Sequence, residues 1–168
     1  MNIERTIDMA LRQIVKFGED ILRKKSRPVT KFDERLWELL DDMADTMHDK
    51  DGAGLAAVQV GVLRRVVVID VHDEHGVIEL INPEIVSADG SQTGSEGCLS
   101  APNMWEEVER PNVVTVKAQD RHGNEFTMTG TALLARAFCH ELDHLDGVLF
   151  IDHVKNSEIP AFRNVTAR

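Results

Sequence analysis

The strongest hydrophobic period in the first third of the chain begins after residue 32. Apolar side chains recur there at helical spacing, with acidic residues between them: Leu36, Leu39, Leu40, Met43 and Met47. This pattern predicts an N-terminal amphipathic helix of about four to five turns, whose apolar face, methionines included, packs in the core. The helix should be capped near Thr30 or Asp33 and should end at Asp51-Gly52.

The middle of the chain, from residue 65 to residue 129, consists of short apolar runs separated by turn residues. The runs cover residues 66–71, 77–81, 84–88, 113–118 and 125–129. Asn82-Pro83 and Asp89-Gly90 favour tight turns, and connections this short require antiparallel neighbours. A loop of different character, residues 93–102, interrupts this β region and contains Cys98.

A second helix is predicted near the C-terminal end, within residues 131–147. One stripe of this helix is apolar and consists of Leu134, Phe138, Leu142 and Leu145. The neighbouring stripe consists of Leu133, Ala137, His140 and His144. Because both stripes would be covered, we interpret the segment as a central, buried helix that ends at Gly147.

His140 and His144 lie four residues apart, so both imidazoles can bind one metal ion from the same face of this helix. Glu141 would then reach a water on the metal without being a ligand. The alternative is that these polar residues lie on a partly hydrated surface. Leu133 and Ala137 on the histidine stripe argue against solvent exposure of that face and predict an apolar wall beside the metal.

A catalytic metal site of this kind needs a third protein ligand and one open position. The extended H-E-x-x-H-x-x-G-x-x-H pattern of metalloendopeptidases matches as far as Gly147, but Phe150 takes the place of the third histidine. Cys98 is the upstream candidate, since one thiolate and two imidazoles would complete the site. A buried, unreactive Cys98 is the alternative.

Small residues dominate the segment 52–59, which ends in the amide of Gln59. The spacings G-x-x-x-x-G-K-[ST] and G-x-G-x-x-G of phosphate-binding loops are absent from it. It is therefore either a tightly packed loop or a segment that lets an extended ligand lie against the main chain. The residues that would allow this approach are Gly52, Ala53, Gly54 and Leu55.

Length and composition fit one globular domain. The chain has 168 residues, of which 42% are hydrophobic and 29% charged, and its longest apolar runs are far too short to span a membrane. The N-terminus lacks the apolar segment of a secretory signal, so we expect a cytoplasmic protein in which Cys98 and Cys139 remain reduced. The net charge of −10 disfavours nucleic-acid binding, and the basic run 23–27 is interpreted as a solvated turn.

Three motifs together resemble those of the peptide deformylase family: GAGLAAVQ at residues 52–59, EGCLS at 96–100 and HELDH at 140–144. The resemblance covers about residues 14–151 and leaves residues 1–8 and 156–168 of the single catalytic domain 1–168 unassigned. It implies an α+β fold with antiparallel β-sheets packed around a central metal-binding helix. Two departures from the family pattern are Cys139, where glutamine is common, and His153, where arginine is common.

The resemblance also implies an activity, the removal of the formyl group from N-terminal formyl-methionine with release of formate. It implies that Cys98, His140 and His144 hold one divalent metal ion, commonly Fe(II), which zinc, nickel or cobalt can replace. Glu141 would act as general acid and base, while Gln59 and the backbone N–H of Leu99 would stabilise the oxyanion.

The substrates implied are N-formylmethionyl peptides, met transiently at the ribosome. Their backbone would pair with the segment around Gly52 to Leu55, and Leu133 and Ala137, with His140, would form the wall of the methionine pocket. Gly97 would also bind the substrate. An ion pair between Glu96 and Arg110 would fix the loop of Cys98, with two separate surface charges as the alternative.

Overall fold

The structure is a computed structural model that describes residues 10–154. This part of the chain contains seven β-strands and two α-helices. The helices are α1 (Glu34–Asp49) and α2 (Leu133–Leu145). The strands are β1 (Gly54–Ala56), β2 (Val66–Ile69), β3 (Ile78–Asp89), β4 (Gln92–Cys98), β5 (Ala101–Arg110), β6 (Val113–Gln119) and β7 (Glu125–Thr131). Short 3-10 turns cover Asp20–Arg23, Ala57–Val60 and Phe150–His153. The unassigned segments 1–8 and 156–168 lie outside the described residues.

The strands form two antiparallel sheets, as the predicted α+β fold requires. One sheet has five strands in the order β1-β2-β3-β6-β7, and the other is the hairpin of β4 and β5. Helix α1 packs on one face of the larger sheet, where it meets Val66 and Val68 of β2. Helix α2 packs on the other face, where Val67 and Ile69 join its cluster. Successive β2 side chains therefore enter different cores, which explains why this strand is an unbroken apolar run.

Helix α1 agrees with the sequence prediction. Asp33 is its N-cap, and the side-chain Oδ1 of this residue accepts a hydrogen bond from Leu36 N at 3.3 Å. The predicted apolar face is buried, including both methionines, Met43 and Met47. These side chains fill the space between α1 and the sheet.

The predicted turn at Asn82-Pro83 is wrong, because both residues lie inside the continuous strand β3. The register with β6 shifts between Ile81 and Glu84, so the dipeptide forms a bulge. Asn82 has a φ of 51°, and its side chain exchanges two hydrogen bonds with the backbone of Val29, at 2.8 and 2.9 Å. Pro83 donates no backbone hydrogen bond, which a bulge tolerates.

The predicted loop 93–102 is also wrong. Its residues belong mainly to β4 and β5, with a tight connection at Leu99 and Ser100. Glycine, serine and threonine give β4 little hydrophobic alternation, so the sequence pattern of a strand is missing there. Cys98 is consequently the last residue of a strand, whose hairpin packs against the same core as α2.

Helix α2 begins at Leu133 and is buried along most of its length. The predicted apolar stripe, Leu134, Phe138, Leu142 and Leu145, lies in the core. Gly147 has a φ of 75° and follows the helix as predicted; a Cβ at this position would lie 2.5 Å from the carbonyl oxygen of Arg23. Neither described helix is long and apolar enough to cross a membrane.

Candidate metal centre

Three potential metal ligands converge between α2 and the end of β4. The Nε2 atoms of His140 and His144 are 3.3 Å apart, and Sγ of Cys98 is 3.4 Å from Nε2 of His144. All three ligand atoms lie within 4.8 Å of one another. Helix α2 supplies both imidazoles on one face, and the hairpin supplies the thiol, so the structure brings together the three residues that the sequence singled out.

The spacing of these atoms fits a single metal ion. Ligand nitrogens about 2.0–2.1 Å and a sulfur about 2.3 Å from a tetrahedral ion are separated by about 3.3–3.6 Å. The two distances of 3.3 and 3.4 Å fall in this range. Burial and the neighbouring His140 hold the pKa of His144 well below its ordinary value, which favours the neutral imidazole that binds metals. The donor set, one thiol and two imidazoles, therefore fits a divalent cation.

Glu96 orients the first of the two histidines. Its Oε2 lies 2.7 Å from Nδ1 of His140, so Nδ1–H donates to the carboxylate and Nε2 is left to face Cys98 and His144. A carboxylate on β4 therefore fixes the orientation of the His140 ring at the candidate metal centre.

Two buried arginines hold this carboxylate. Arg110 donates two hydrogen bonds to Glu96, at 2.7 and 3.1 Å, which confirms the predicted ion pair. Arg136 donates a third, at 2.8 Å. Burial by itself would raise the pKa of Glu96, but the hydrogen bonds from His140 and Arg110 outweigh it and hold the pKa well below its usual range.

Glu141 lies beside the three ligand atoms without joining them. Its Oε1 is 3.9 Å from Nε2 of His140, and its buried Oε2 has no hydrogen-bond partner among the described residues. Burial raises the pKa of Glu141 to about 7, against the opposing charge of His140. A carboxyl group with this pKa can take up and release a proton near neutral pH.

The small-residue segment passes close to this carboxyl group. A Cβ on Gly54 would lie only 2.6 Å from Oε1 of Glu141, so glycine is required where β1 approaches the metal centre. Gln59, in the following 3-10 turn, accepts a hydrogen bond from Ala56 N at 2.9 Å through Oε1. Its Nε2 is thereby directed at Sγ of Cys98, 3.4 Å away.

A cavity of about 610 Å³ opens beside the metal centre. Its lining includes the predicted substrate-binding residues Gly52, Ala53, Gly54, Gly97, Leu133 and Ala137, the predicted oxyanion donor Leu99, and Cys98, His140 and Glu141. Leu55, also predicted to bind the substrate, and Gln59 are buried and do not line this cavity. The predicted burial of Leu133 is wrong, since 54% of this residue is exposed. Leu133 does lie on the same helical stripe as His140, but the cavity opens to solvent at this first residue of α2.

The sequence analysis missed one residue and one contact at this site. Arg136 was not singled out, although a charged residue inside a helix interpreted as buried signals a paired cation. The contact of Glu96 with His140 was also missed, because it joins residues 44 positions apart that no local pattern connects.

Comparisons with known proteins agree on one family. A sequence model of the polypeptide deformylase family matches residues 11–159. The chain is 62% identical over 146 residues to the peptide deformylase of Caldicellulosiruptor bescii, covering 87% of each protein. It is 57% identical over 144 residues to that of Thermoanaerobacter pseudethanolicus, covering 86% of this chain and 89% of the relative.

Solved structures give the same result. The crystal structure of a peptide deformylase from Legionella pneumophila superposes with a TM-score of 0.87 at 45% sequence identity, covering 94% of both chains. The peptide deformylase of Thermotoga maritima superposes with a TM-score of 0.83 at 43% identity, covering 86% of this chain and 98% of that one. The chain belongs to the polypeptide deformylase family.

Proposed function

We propose that Cys98, His140 and His144 hold one divalent metal ion, and that Glu141 transfers protons beside it. The reaction is that of the family, the hydrolytic removal of the N-formyl group from nascent peptides. The observation that supports the assignment of the ligands is the convergence of one Sγ and two Nε2 atoms next to a buried carboxyl group.

Hydrolysis of the formyl amide needs an activated water and a proton for the leaving amine. A bound divalent metal ion supplies Lewis acidity and lowers the pKa of its water to about 7. Glu141 would accept the proton of the attacking water and would then return it to the departing nitrogen. Its burial supports this role, because a pKa of about 7 lets the carboxyl group act in both directions near neutral pH.

The oxygen of the attacked formyl group acquires negative charge and needs hydrogen-bond donors. We assign this role to the side-chain amide of Gln59 and to the backbone N–H of Leu99. The amide of Gln59 is held by Ala56 and directed toward Cys98, and Leu99 lines the cavity. Each such donor is typically worth about 100- to 1000-fold in rate.

The peptide backbone is proposed to lie along Gly52, Ala53, Gly54 and Leu55. Strand β1 is at the edge of the five-stranded sheet and pairs there with β2 alone, so among the described residues its other edge is open to strand addition. Glycine at positions 52 and 54 lets Leu99 and Glu141 approach this segment, because an added Cβ would lie 2.6 Å from each of those side chains. The unbranched methionine side chain would contact Gly97, Leu133, Ala137 and His140.

Fe(II) is proposed as the metal in the cell, with zinc, nickel or cobalt able to replace it. A thiolate and two imidazoles accept several divalent cations, and affinity alone does not select the physiological one. Metal analysis of protein purified without oxygen identifies the ion that the cell supplies.

We further propose a cytoplasmic enzyme that meets its substrates at the ribosome through transient contact, and one catalytic domain over residues 1–168 with its core at about 14–151. The family's action on nascent peptides supports the encounter. Sedimentation of the protein with translating ribosomes, with and without formylated nascent chains, tests it.

Formate release distinguishes this function from a metalloendopeptidase. The metal-loaded protein should release formate from a formyl-methionyl peptide and leave internal peptide bonds intact. Phe150, which takes the place of the endopeptidase histidine, is buried in the core and cannot be a ligand. Cleavage of unformylated internal bonds would refute the assignment.

A further inference from the structure

A surface histidine, His153, stands at the outer end of a row of hydrogen bonds that reaches the proposed metal centre. Its Nε2 lies 2.9 Å from Oδ2 of Asp143 on α2. The same carboxylate oxygen accepts a hydrogen bond from Nη1 of Arg110 at 2.7 Å. Arg110 also donates to Glu96, whose Oε2 lies 2.7 Å from Nδ1 of His140. The row therefore runs without a gap from the surface to a proposed metal ligand.

Solvent exposure falls along this row from its outer end to its inner end. The side chain of His153 is 39% exposed, that of Asp143 27% and that of Arg110 4%. A histidine–carboxylate pair at the surface contributes little when it stands alone. Here the carboxylate is also the partner of a buried guanidinium group, for which an unmade hydrogen bond is costly. His153 therefore keeps the carboxylate of Asp143 from turning toward water.

The guanidinium group of Arg110 couples the position of Asp143 to that of Glu96. Its Nε and Nη2 donate to the two oxygens of Glu96 at 3.1 and 2.7 Å, while Nη1 donates to Asp143. Because a guanidinium group is planar and rigid, a rotation that follows Asp143 also disturbs the alignment with Glu96. A displaced Glu96 would hold the ring of His140 in a different orientation.

The 3-10 turn that ends at His153 is held in place by contacts of its own. Phe150 is buried, and Asp152 pairs with Arg23 at 2.6 Å. A change of the side chain at position 153 should therefore leave this turn where it is. The turn also contacts the proposed metal centre by a second route, since the ring of Phe150 stacks on that of His140 with centroids 6.0 Å apart.

We propose that His153 is a positioning residue for the proposed metal centre and acts on His140 through Asp143, Arg110 and Glu96. The proposal rests on the proposed function, because it treats His140 as a metal ligand. Loss of the hydrogen-bond donor at position 153 should weaken metal binding about 3- to 10-fold, a typical size for a residue that contacts neither the metal nor its ligands. A hydrogen-bonded row of this kind is tested most cleanly by combining substitutions at its two ends.

The first experiment measures Zn(II) affinity with a competing chelator. His153→Phe keeps a flat ring without a donor and should show the predicted loss. His153→Gln places an amide N–H near the position of Nε2 and should keep the affinity of the unaltered protein. His75→Phe is the matched control, because His75 pairs with Asp73 at 3.0 Å in an exposed turn that is separate from the proposed ligands; its affinity should not change.

A double-mutant cycle tests the route of the effect. If His153 acts through Glu96, then His153→Phe should cause no further loss of affinity in a protein that already carries Glu96→Gln. Losses that multiply in the double variant would point to another contact, such as the stacking of Phe150 on His140, and would overturn the proposal. Unchanged affinity in His153→Phe, or a loss in His153→Gln that His153→Phe does not show, would overturn it as well.

A measurement on the metal-free protein separates this proposal from the proposed function. In protein labelled with ¹⁵N-histidine, the Nδ1–H resonance of His140, identified by its absence in His140→Ala, reports the hydrogen bond to Glu96. This resonance should shift in His153→Phe and stay in place in His153→Gln and His75→Phe. A shift in a protein that binds no zinc would support the coupling while refuting the metal assignment. Zinc binding and formate release with an unmoved resonance would overturn the role of His153 and leave the proposed function intact.

Discussion

Oε2 of Glu96 lies 2.7 Å from Nδ1 of His140, and this contact joins the hairpin that carries Cys98 to the helix that carries the two histidines. The proposed metal ligands come from two separate elements, so their relative position depends on such a link. Arg110 adds a second link between the hairpin and α2, because its Nη1 donates a hydrogen bond to Asp143, near the end of the helix, at 2.7 Å.

Replacement of Glu96 by glutamine should weaken metal binding about 10- to 100-fold, the usual cost of removing a group that orients a metal ligand. The neutral amide holds Nδ1–H of His140 less strongly and removes the negative charge that the two buried guanidinium groups share. Metal dissociation constants measured with a competing chelator check this result. Glu79→Gln is the control, since Glu79 pairs with Arg121 on another part of the protein; an equal loss in both variants would contradict the orienting role.

Gly54→Ala should reduce kcat about 100-fold while the protein keeps its metal. The added Cβ would come within 2.6 Å of Oε1 of Glu141 and must displace the carboxyl group by a large fraction of an ångström, enough to disrupt its proton transfers. Steady-state kinetics and metal content of the same sample measure the effect. Unchanged kcat would show that Glu141 need not occupy its observed position.

The stability of the metal-free protein should depend on pH through Glu141. Burial raises the pKa of this group from 4.5 to about 7, so the folded protein holds a proton that the unfolded chain has already lost between these values. The stability that comes from this difference in proton binding is fully present below about pH 4.5 and is lost as the pH rises through about 7. Glu141→Gln removes this dependence.

Urea unfolding at pH 5 and pH 8 in the presence of a chelator measures the difference. Between pH 5 and pH 8, the unfolding free energy of the unaltered protein should fall by about 2–3 kcal/mol more than that of Glu141→Gln. Parallel pH profiles of the two proteins would contradict the raised pKa.

Cys98→Ala should remove one ligand and lower metal affinity sharply, while the two histidines retain weak binding. Cys139→Ala is the matched control, because Cys139 is the other cysteine and is buried in the core cluster away from the ligand set. Metal content after dialysis should fall in the first variant and remain at one ion per chain in the second. Full metal content in Cys98→Ala would identify a different third ligand.

Helices α1 and α2 could be predicted from the sequence because a helix face is a local property of the spacing of residues. The approach of His140 to His144 could be predicted in the same way, because residues four positions apart lie on one face of a helix. The hairpin that positions Cys98 could not be predicted, because β4 carries glycine and small polar residues where the site needs close approach and therefore lacks the alternation of a strand.

Other features depend on contacts that are distant in sequence. Asn82-Pro83 has the composition of a turn, and only the continued pairing of β3 with β6 converts it into a bulge. Leu133 lies on the predicted stripe, but its exposure depends on where the hairpin leaves the cavity open. The bond of Glu96 to His140 depends on how the hairpin packs on α2.

In the proposed mechanism, a metal ion held by Cys98, His140 and His144 acts together with Glu141 to release formate. Its most direct test is the rate of formate release from a formyl-methionyl peptide by protein loaded with one equivalent of Fe(II) without oxygen, compared with Glu141→Ala loaded in the same way. We expect the unaltered protein to turn over and the variant, with equal metal content, to be slower by about 100- to 10,000-fold. No formate from the unaltered protein, or comparable rates in the two proteins, would contradict the account.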